Sequence, residues 1–161
     1  MPVDYKVEVA RQLCNALGYA HSRGVVHGRL SAHNVFLESR VQLSLIDYAA
    51  GAANAAYSSP QVLQRRKMAP HHQQQQMAPR NYRVGTDPSD DVFAFGTVLF
   101  ETFAGKAPFA DESDDGEVAA RILSGRLPDA IQELDLTTVI ICLEQFELWT
   151  PINQYELQVY L

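Results

Sequence analysis

Two neighbouring stretches are the most informative part of the chain: VVHGRLSAHNVFL at residues 25–37 and VQLSLIDYA at residues 41–49. In chain order they predict a short apolar strand, a polar loop that ends at Asn34, a second strand, a turn, and a last strand that ends on Asp47. An amide oxygen and a carboxylate oxygen that point at one place suit a divalent cation and the phosphate that accompanies it.

Helical patterns lie on both sides of this segment. Apolar residues at steps of three and four predict an amphipathic helix over residues 3–23, which Gly24 ends. Residues 91–104 are apolar on nearly every side of a helix, so they predict a buried central helix with Ser89 or Asp90 as its cap. The remaining predicted helices are those at residues 118–124 and 134–146. These patterns favour a mainly α fold of the α+β class.

Both informative regions resemble the protein kinase family. The catalytic loop of that family reads His-Arg-Asp-x-x-x-x-Asn and is followed by Asp-Phe-Gly; here the chain has HGRLSAHN at residues 27–34 and DYA at 47–49. The central helix of the family's C-terminal lobe reads Asp-Val-Trp-Ser-Phe-Gly, and here DVFAFG stands at residues 91–96. The resemblance implies that Asp91 accepts hydrogen bonds from backbone amides of the catalytic loop.

The same resemblance sets the expected domain organisation. The sequence contains neither the Gly-rich loop nor the Val-Ala-Ile-Lys strand of the family's N-terminal lobe. Residues 1–161 are therefore expected to form a partial kinase-like domain, the C-lobe, with short β-hairpins around the catalytic loop and no N-lobe. Within it, residues 64–90 predict a low-complexity loop insertion, because they are rich in glutamine and proline and lack periodicity.

The expected site residues follow from the alignment with the family. Asn34 and Asp47 take the positions of the Mg²⁺ ligands, and Phe36 takes the position beneath the adenine of ATP. Arg29 stands where the family has its catalytic aspartate, and Ser31 stands where lysine is common. Aspartate accepts the proton of the substrate hydroxyl, whereas arginine stays protonated and has no acceptor lone pair.

These departures imply a pseudokinase, a kinase homologue that is not expected to be an enzyme. ATP and Mg²⁺ then bind weakly or not at all. An active or residually active protein kinase, or a truncated fragment of one, stays open as the alternative, because positioning and metal electrostatics supply much of phosphoryl-transfer catalysis.

A finer resemblance concerns the Raf group of kinases. The segments NVFL at residues 34–37 and VFAFGTV at 92–98, with an insertion before the central helix, are most similar to that group. Within it, the similarity is greatest to the kinase suppressor of Ras pseudokinases, which are scaffolds for a MAP kinase kinase. The implied partners are a MAP kinase kinase or a Raf-type kinase.

The end of the activation segment also departs from the family. YSSPQ at residues 57–61 resembles Tyr-x-Ala-Pro-Glu, whose glutamate pairs with an arginine late in the domain. Gln61 replaces that glutamate, and the corresponding late region, WTPINQ at residues 149–154, has no arginine. Losing both partners avoids an unpaired buried charge. Ser58 and Ser59 are either phosphorylation sites or ordinary solvated loop residues.

Composition limits the remaining function classes. A chain of 161 residues with 47% hydrophobic residues is long enough for one domain with a core. The net charge of −6 disfavours nucleic acid as a partner. Neither a bilayer-spanning run nor a signal peptide is recognisable, and the two cysteines lie in apolar helical patterns typical of reduced thiols. A cytoplasmic location is therefore expected.

Overall fold

The structure is a computed structural model that describes residues 1–38, 41–43, 54–68 and 87–126. Four α-helices and one two-stranded sheet form this part of the chain, and single turns of 3₁₀-helix lie at Ala32–Asn34 and Ala55–Tyr57. The elements are α1 (Val3–Ser22), β1 (Val35–Leu37), β2 (Val41–Leu43), α2 (Pro60–Met68), α3 (Pro88–Ala104) and α4 (Asp115–Leu123). The predicted mainly helical α+β class is consistent with this architecture.

Helix α1 forms where the apolar spacing predicts it. Its buried residues, Val9, Ala10, Leu13, Cys14 and Leu17, recur at the steps that place side chains on one face. The helix ends in a Schellman turn: Gly24 has a φ of 70°, its N–H donates to the carbonyl of His21, and the N–H of Val25 donates to that of Ala20.

The N-cap of the central helix α3 lies two residues before Ser89 and three before Asp90, the two expected caps. Asp87 is its N-cap and accepts a hydrogen bond from the N–H of Ser89 at 3.0 Å. Pro88 occupies the first turn, where its fixed φ favours helix initiation. The prediction that Ser89 or Asp90 caps this helix was therefore wrong, and Asp90 is instead a buried residue of the first turn.

The core lies between α1, α3 and α4. Leu13 and Leu30 are its most enclosed apolar side chains, at 0% and 1% exposure. Leu30 comes from the loop between α1 and β1, so that loop is attached to the core by an apolar side chain as well as by hydrogen bonds. The other large buried apolar residues include Leu17, Tyr57, Phe95, Val98, Leu99, Phe109 and Ile122.

The sheet is a short antiparallel hairpin, with Val35 opposite Leu43 and Leu37 opposite Val41. Its first strand matches the prediction, and the second is Val41–Leu43; the rest of the strand predicted up to Asp47 lies outside the described residues. The strand predicted at residues 25–26 does not form. The N–H of Val25 is used at the end of α1, and the N–H groups of His27 and Gly28 bond a side chain of α3 instead of a strand.

Two predicted boundaries change. The predicted loop at residues 64–90 was too long, because residues 64–68 belong to α2 and residues 88–90 to α3; residues 69–86 lie outside the described part. Helix α4 begins at Asp115, earlier than the predicted residue 118, because Asp114 accepts hydrogen bonds from the N–H groups of Gly116 and Glu117. The predicted helix at 134–146 and the last segment lie outside the described residues.

Among the residues that the structure describes, no helix is both long and apolar enough to cross a membrane.

Candidate functional site

Asp91 of α3 holds the loop that contains the candidate site. Its carboxylate is 1% exposed and accepts hydrogen bonds from the N–H groups of His27 at 2.8 Å and Gly28 at 2.7 Å. His21 of α1 lies on the same carboxylate, with Nε2 2.8 Å from Oδ2. Charge-assisted hydrogen bonds of this kind compensate for burial of an ionised carboxylate. The expected contact between Asp91 and the loop backbone is confirmed.

The loop conformation depends on Gly28 and Asn34. Gly28 has a φ of 72°, in the left-handed region that favours glycine. Asn34 is 6% exposed, and its Nδ2 donates to the carbonyl of Arg29 at 2.8 Å. The N–H of Arg29 in turn lies 3.2 Å from Nδ1 of His27. Arg29 is therefore positioned through both of its backbone polar groups.

The predicted metal ligands are described only in part. Because Nδ2 of Asn34 is bonded to the loop backbone, Oδ1 is the atom that would face a cation. Asp47 lies outside the described ranges. Across residues 1–38, 41–43, 54–68 and 87–126, no group of three or more His, Cys, Asp or Glu side chains could hold a metal ion. Ser31 is half-buried, and its carbonyl accepts from the N–H of Asn34.

Phe36, the residue predicted to lie beneath adenine, is on the outer surface of the hairpin. It is 46% exposed, and its neighbour Leu37 is 45% exposed. Opposite Phe36 on β2 is the polar residue Gln42. An aromatic ring with one open face can pack against a flat heterocycle or against an apolar side chain of a protein partner.

Arg29, at the catalytic-aspartate position, interacts electrostatically with Arg66 of α2. Burial lowers the pKa of Arg66 on α2, and the guanidinium of Arg29 lowers that pKa further, while the Asp115 and Asp90 carboxylates raise it. The positive charges of Arg29 and Arg66 therefore repel each other. In place of the family's proton acceptor, this position has a cation with a second cation in its surroundings.

The segment before α2 is attached to the central helix. Tyr57 is buried, and its hydroxyl donates to the carboxylate of Glu101. Burial, together with Glu101, raises the pKa of Tyr57 well above its ordinary value. The Oγ1 of Thr97 donates to the carbonyl of Ala56 at 3.2 Å. These contacts fix the backbone that immediately precedes α2.

Ser58 and Ser59 do not present their side chains to solvent. Ser58 is 6% exposed and Ser59 is 2% exposed. The Oγ of Ser58 donates to the carbonyl of Asn54 at 3.2 Å. In this conformation neither hydroxyl is available to a modifying enzyme, so the interpretation of these residues as phosphorylation sites, or as ordinary solvated loop residues, does not fit the structure.

Sequence reasoning missed Glu101 and Thr97 as residues that position the site. Both stand in the apolar helix pattern of α3, where polar residues are conspicuous. A polar side chain in a helix that is otherwise apolar requires a partner, because an unsatisfied buried polar group is costly. That rule could have marked both residues, although it could not have named Tyr57 and Ala56 as their partners.

Comparison with known proteins agrees with this arrangement. The sequence model of the family described as "Protein kinase domain" matches residues 3–142, so the chain belongs to the protein kinase domain family. It is 28% identical to the serine/threonine-protein kinase PknB of Mycobacterium leprae over 114 residues, which cover 70% of this chain and 18% of that protein. It is also 28% identical to the probable serine/threonine-protein kinase WNK8 of Oryza sativa, over 75% of this chain and 19% of that protein.

A Raf-type kinase is among the relatives. The serine/threonine-protein kinase A-Raf of Mus musculus is 26% identical over 129 residues, which cover 76% of this chain and 20% of that protein. The chain thus spans about a fifth of the length of the curated relatives it matches. Kinase-like ancestry is shown, and the activity of this chain is a separate question.

Proposed function

We propose that this chain is a pseudokinase module that acts as a scaffold or allosteric binding partner in Ras/MAP kinase-type signalling. The observation that carries the proposal is the position of Arg29. The loop around it keeps its attachment to Asp91, while the residue at the place of the catalytic base has a guanidinium side chain.

The chemistry of Arg29 supports a role without phosphoryl transfer. A general base must accept a proton within hydrogen-bond reach, and arginine has no lone pair for it.

The partner assignment rests on the Raf resemblance. A Raf-type kinase, A-Raf, is among the relatives of this chain, which supports the Raf part of the resemblance. The proposed partner is a MAP kinase kinase or a Raf-type kinase, and the proposed place of action is the cytoplasm. The exposed apolar side chains of the hairpin, Phe36 and Leu37, and the exposed part of α4 are among the surfaces available for contact. PknB and WNK8 match equally well, so the Raf assignment is the finer part of the proposal.

An active or residually active kinase, or a fragment of one, is the second candidate function. The fixed position of Asn34 favours an active kinase. Its side chain is held by the carbonyl of Arg29, and a positioned amide oxygen can serve as a ligand of the Mg²⁺ that accompanies ATP. With Asp47 as the second ligand, the chain would hold Mg²⁺ and ATP, and positioning alone would supply part of the catalysis.

Measurements of phosphoryl transfer and of ligand binding distinguish the pseudokinase from the active kinase. The experiment incubates the chain with labelled ATP, Mg²⁺ and a generic protein substrate, alongside Asn34→Ala and Arg29→Asp variants. We expect no transfer by the wild-type chain above the Asn34→Ala background. Transfer by the wild-type chain that Asn34→Ala abolishes would overturn the pseudokinase assignment. Gain of activity in Arg29→Asp would show that Arg29 alone had removed it.

The binding part of the proposal has its own measurement. Calorimetric titration with a purified MAP kinase kinase and with a Raf-type kinase tests the partner directly, and failure to bind either one contradicts the scaffold role. Thermal unfolding with ATP and Mg²⁺ tests the cofactor; saturation at a hundred times Kd would add about 2.7 kcal/mol of stability. A shift that requires Asn34 and Asp47 would support the metal assignment.

A further inference from the structure

A polar cluster of Ser59, Asp90 and Arg65 connects α2 to the central helix. The Oγ of Ser59 donates to Oδ1 of Asp90 at 2.5 Å, and a guanidinium nitrogen of Arg65 donates to Oδ2 at 3.2 Å. Ser59 is 2% exposed and Asp90 is 7% exposed. Oδ1 of Asp90 is thus bonded to Ser59, immediately before α2, and Oδ2 is bonded to Arg65, in the second turn of α2.

Ser59 also begins the helix that it attaches. Its Oγ accepts a hydrogen bond from the N–H of Val62 at 3.2 Å, which is the position of an N-cap contact. The N–H of Leu63 donates to the carbonyl of Ser59 at 3.0 Å. One hydroxyl therefore both caps α2 and donates to Asp90, so capping and attachment depend on the same atom.

The chain has no counterpart of the ion pair that the kinase resemblance implies at this point. Gln61 is neutral and exposed. Residues 127–161 contain no arginine or lysine at all, so no cation from that part of the sequence could meet a carboxylate at position 61 in any register. Among the residues that the structure describes, α2 does form an ion pair with α3, between Arg65 and Asp90.

We infer that Ser59, Asp90 and Arg65 are the positioning residues that hold α2 on the central helix, in place of the family's glutamate–arginine pair. In the part of the chain that the structure describes, the hydrogen bonds of this cluster involve neither Arg29 nor Asn34. The position of α2, and with it the face that α2 and α4 form together, is therefore set without nucleotide and without modification of the activation segment. This inference holds whether or not the chain transfers phosphate.

Hydrogen exchange of the intact chain tests this inference, because it reports each helix separately. We expect Ser59→Ala and Asp90→Asn to speed exchange of the Val62 and Leu63 amides about tenfold or more, while the amides of α1 change little. Arg65→Gln should give a smaller increase in the same amides, because Arg65 is half exposed and its ion pair is partly solvated. Addition of ATP and Mg²⁺ should leave the exchange of α2 unchanged.

Matched controls separate the cluster from general damage. Ser58→Ala removes a neighbouring buried hydroxyl, and Lys67→Gln removes the same charge from the same helix as Arg65→Gln. Equal effects of Arg65→Gln and Lys67→Gln would overturn the role of Arg65. Equal effects of Ser59→Ala and Ser58→Ala would overturn that of Ser59. If Asp90→Asn does not fold, the double variant Ser59→Ala/Arg65→Gln replaces it. Because both residues share Asp90 as a partner, we expect its effect on the exchange of α2 to differ from the sum of the two single effects; a simple sum would overturn the cluster.

Discussion

Two adjacent carboxylates of α3 hold two different parts of the molecule. Asp91 accepts backbone N–H groups of the loop at residues 27–28, and Asp90 accepts side-chain donors of Ser59 and Arg65. Successive residues of a helix point about 100° apart, so neighbours in the sequence reach different elements. The loop is attached by the contact that the kinase resemblance implies. The attachment of α2 uses Ser59 and Arg65, for which the resemblance implies no such role.

The difference follows from what each carboxylate bonds. Backbone amides are present whatever the side chains are, so the loop keeps its hydrogen bonds to Asp91 although Gly28 and Arg29 depart from the family pattern. Side-chain donors must be supplied by particular residues, so a change at position 61 requires a different set of partners. Loss of catalytic side chains and retention of the loop backbone are therefore compatible in one chain.

The largest expected effect comes from Asp91→Asn. The amide has one acceptor oxygen for three donors and places its own N–H₂ against them, so buried donors lose their partner. Each lost hydrogen bond to a charged group costs roughly 1.5–3 kcal/mol, and Asp91 accepts more than one. Urea unfolding measures the loss, with the exposed Asp111→Asn as the control. If Asp91→Asn costs less than Asp90→Asn, the loop is not the more strongly attached region.

Leu30→Ala tests the apolar attachment of the same loop. Leu30 is 1% exposed, and truncation of a buried leucine costs about 2–5 kcal/mol through lost transfer energy and the cavity left behind. Leu37→Ala on the hairpin is the matched control, because that side chain is 45% exposed. Denaturant midpoints should separate the two variants clearly. Similar midpoints would mean that Leu30 contributes little to holding the loop.

Tyr57→Phe tests the attachment of the segment before α2 to the central helix α3. Loss of the hydrogen bond to Glu101 should cost about 1.5–3 kcal/mol, since the acceptor is a carboxylate. The raised pKa of Tyr57 means that the folded state keeps a proton that the unfolded state releases above about pH 10. This part of the stability is complete below that pH and is lost as the pH rises further.

The pH dependence gives that prediction a second readout. Melting temperatures between pH 9 and 11 should fall more steeply for the wild-type chain than for Tyr57→Phe, which has no phenol at this position. Tyr19→Phe is the control, because Tyr19 is 64% exposed. Parallel pH profiles for the wild type and Tyr57→Phe would contradict the assignment of the alkaline slope to Tyr57.

Phe36→Ala should have the smallest effect on folding. The ring is nearly half exposed, and substitutions at such positions usually change stability by about 0.5 kcal/mol or less. A large loss of stability would show that Phe36 belongs to the core. Any loss of ATP-dependent or partner-dependent stabilisation in Phe36→Ala, measured by thermal unfolding, would locate that ligand on the hairpin.

Local patterns predicted the regular elements best. The helix at residues 3–23, the central helix that Gly105 ends, and the strand at residues 35–37 follow from spacing and stop signals that act over a few residues. The boundaries that failed lie at residues 64–68, 88–90 and 115. There the deciding features were capping residues and packing of α2 and α4 that the spacing of apolar residues does not reveal.

The candidate site was predictable in part for the same reason. Arg29, Ser31, Asn34 and Phe36 could be chosen because the family motif places them within a few residues of one another, and their roles toward nucleotide and metal stay predictions. Asp47 lies outside the described residues. The contact of Asp91 with the loop could be predicted from the resemblance, although 63 and 64 residues separate the partners.

By itself, the sequence determined the kinase-like class, the chain positions of the main helices and the charge at the position of the catalytic base. Each of these depends on residue identity or on spacing within one element. Only the tertiary structure decided that Ser59 bonds Asp90, 31 residues away, and that Tyr57 bonds Glu101, 44 residues away. A buried polar group must find a partner, and the sequence shows the need for it, but only the packing of distant helices determines which residue is near enough to meet it.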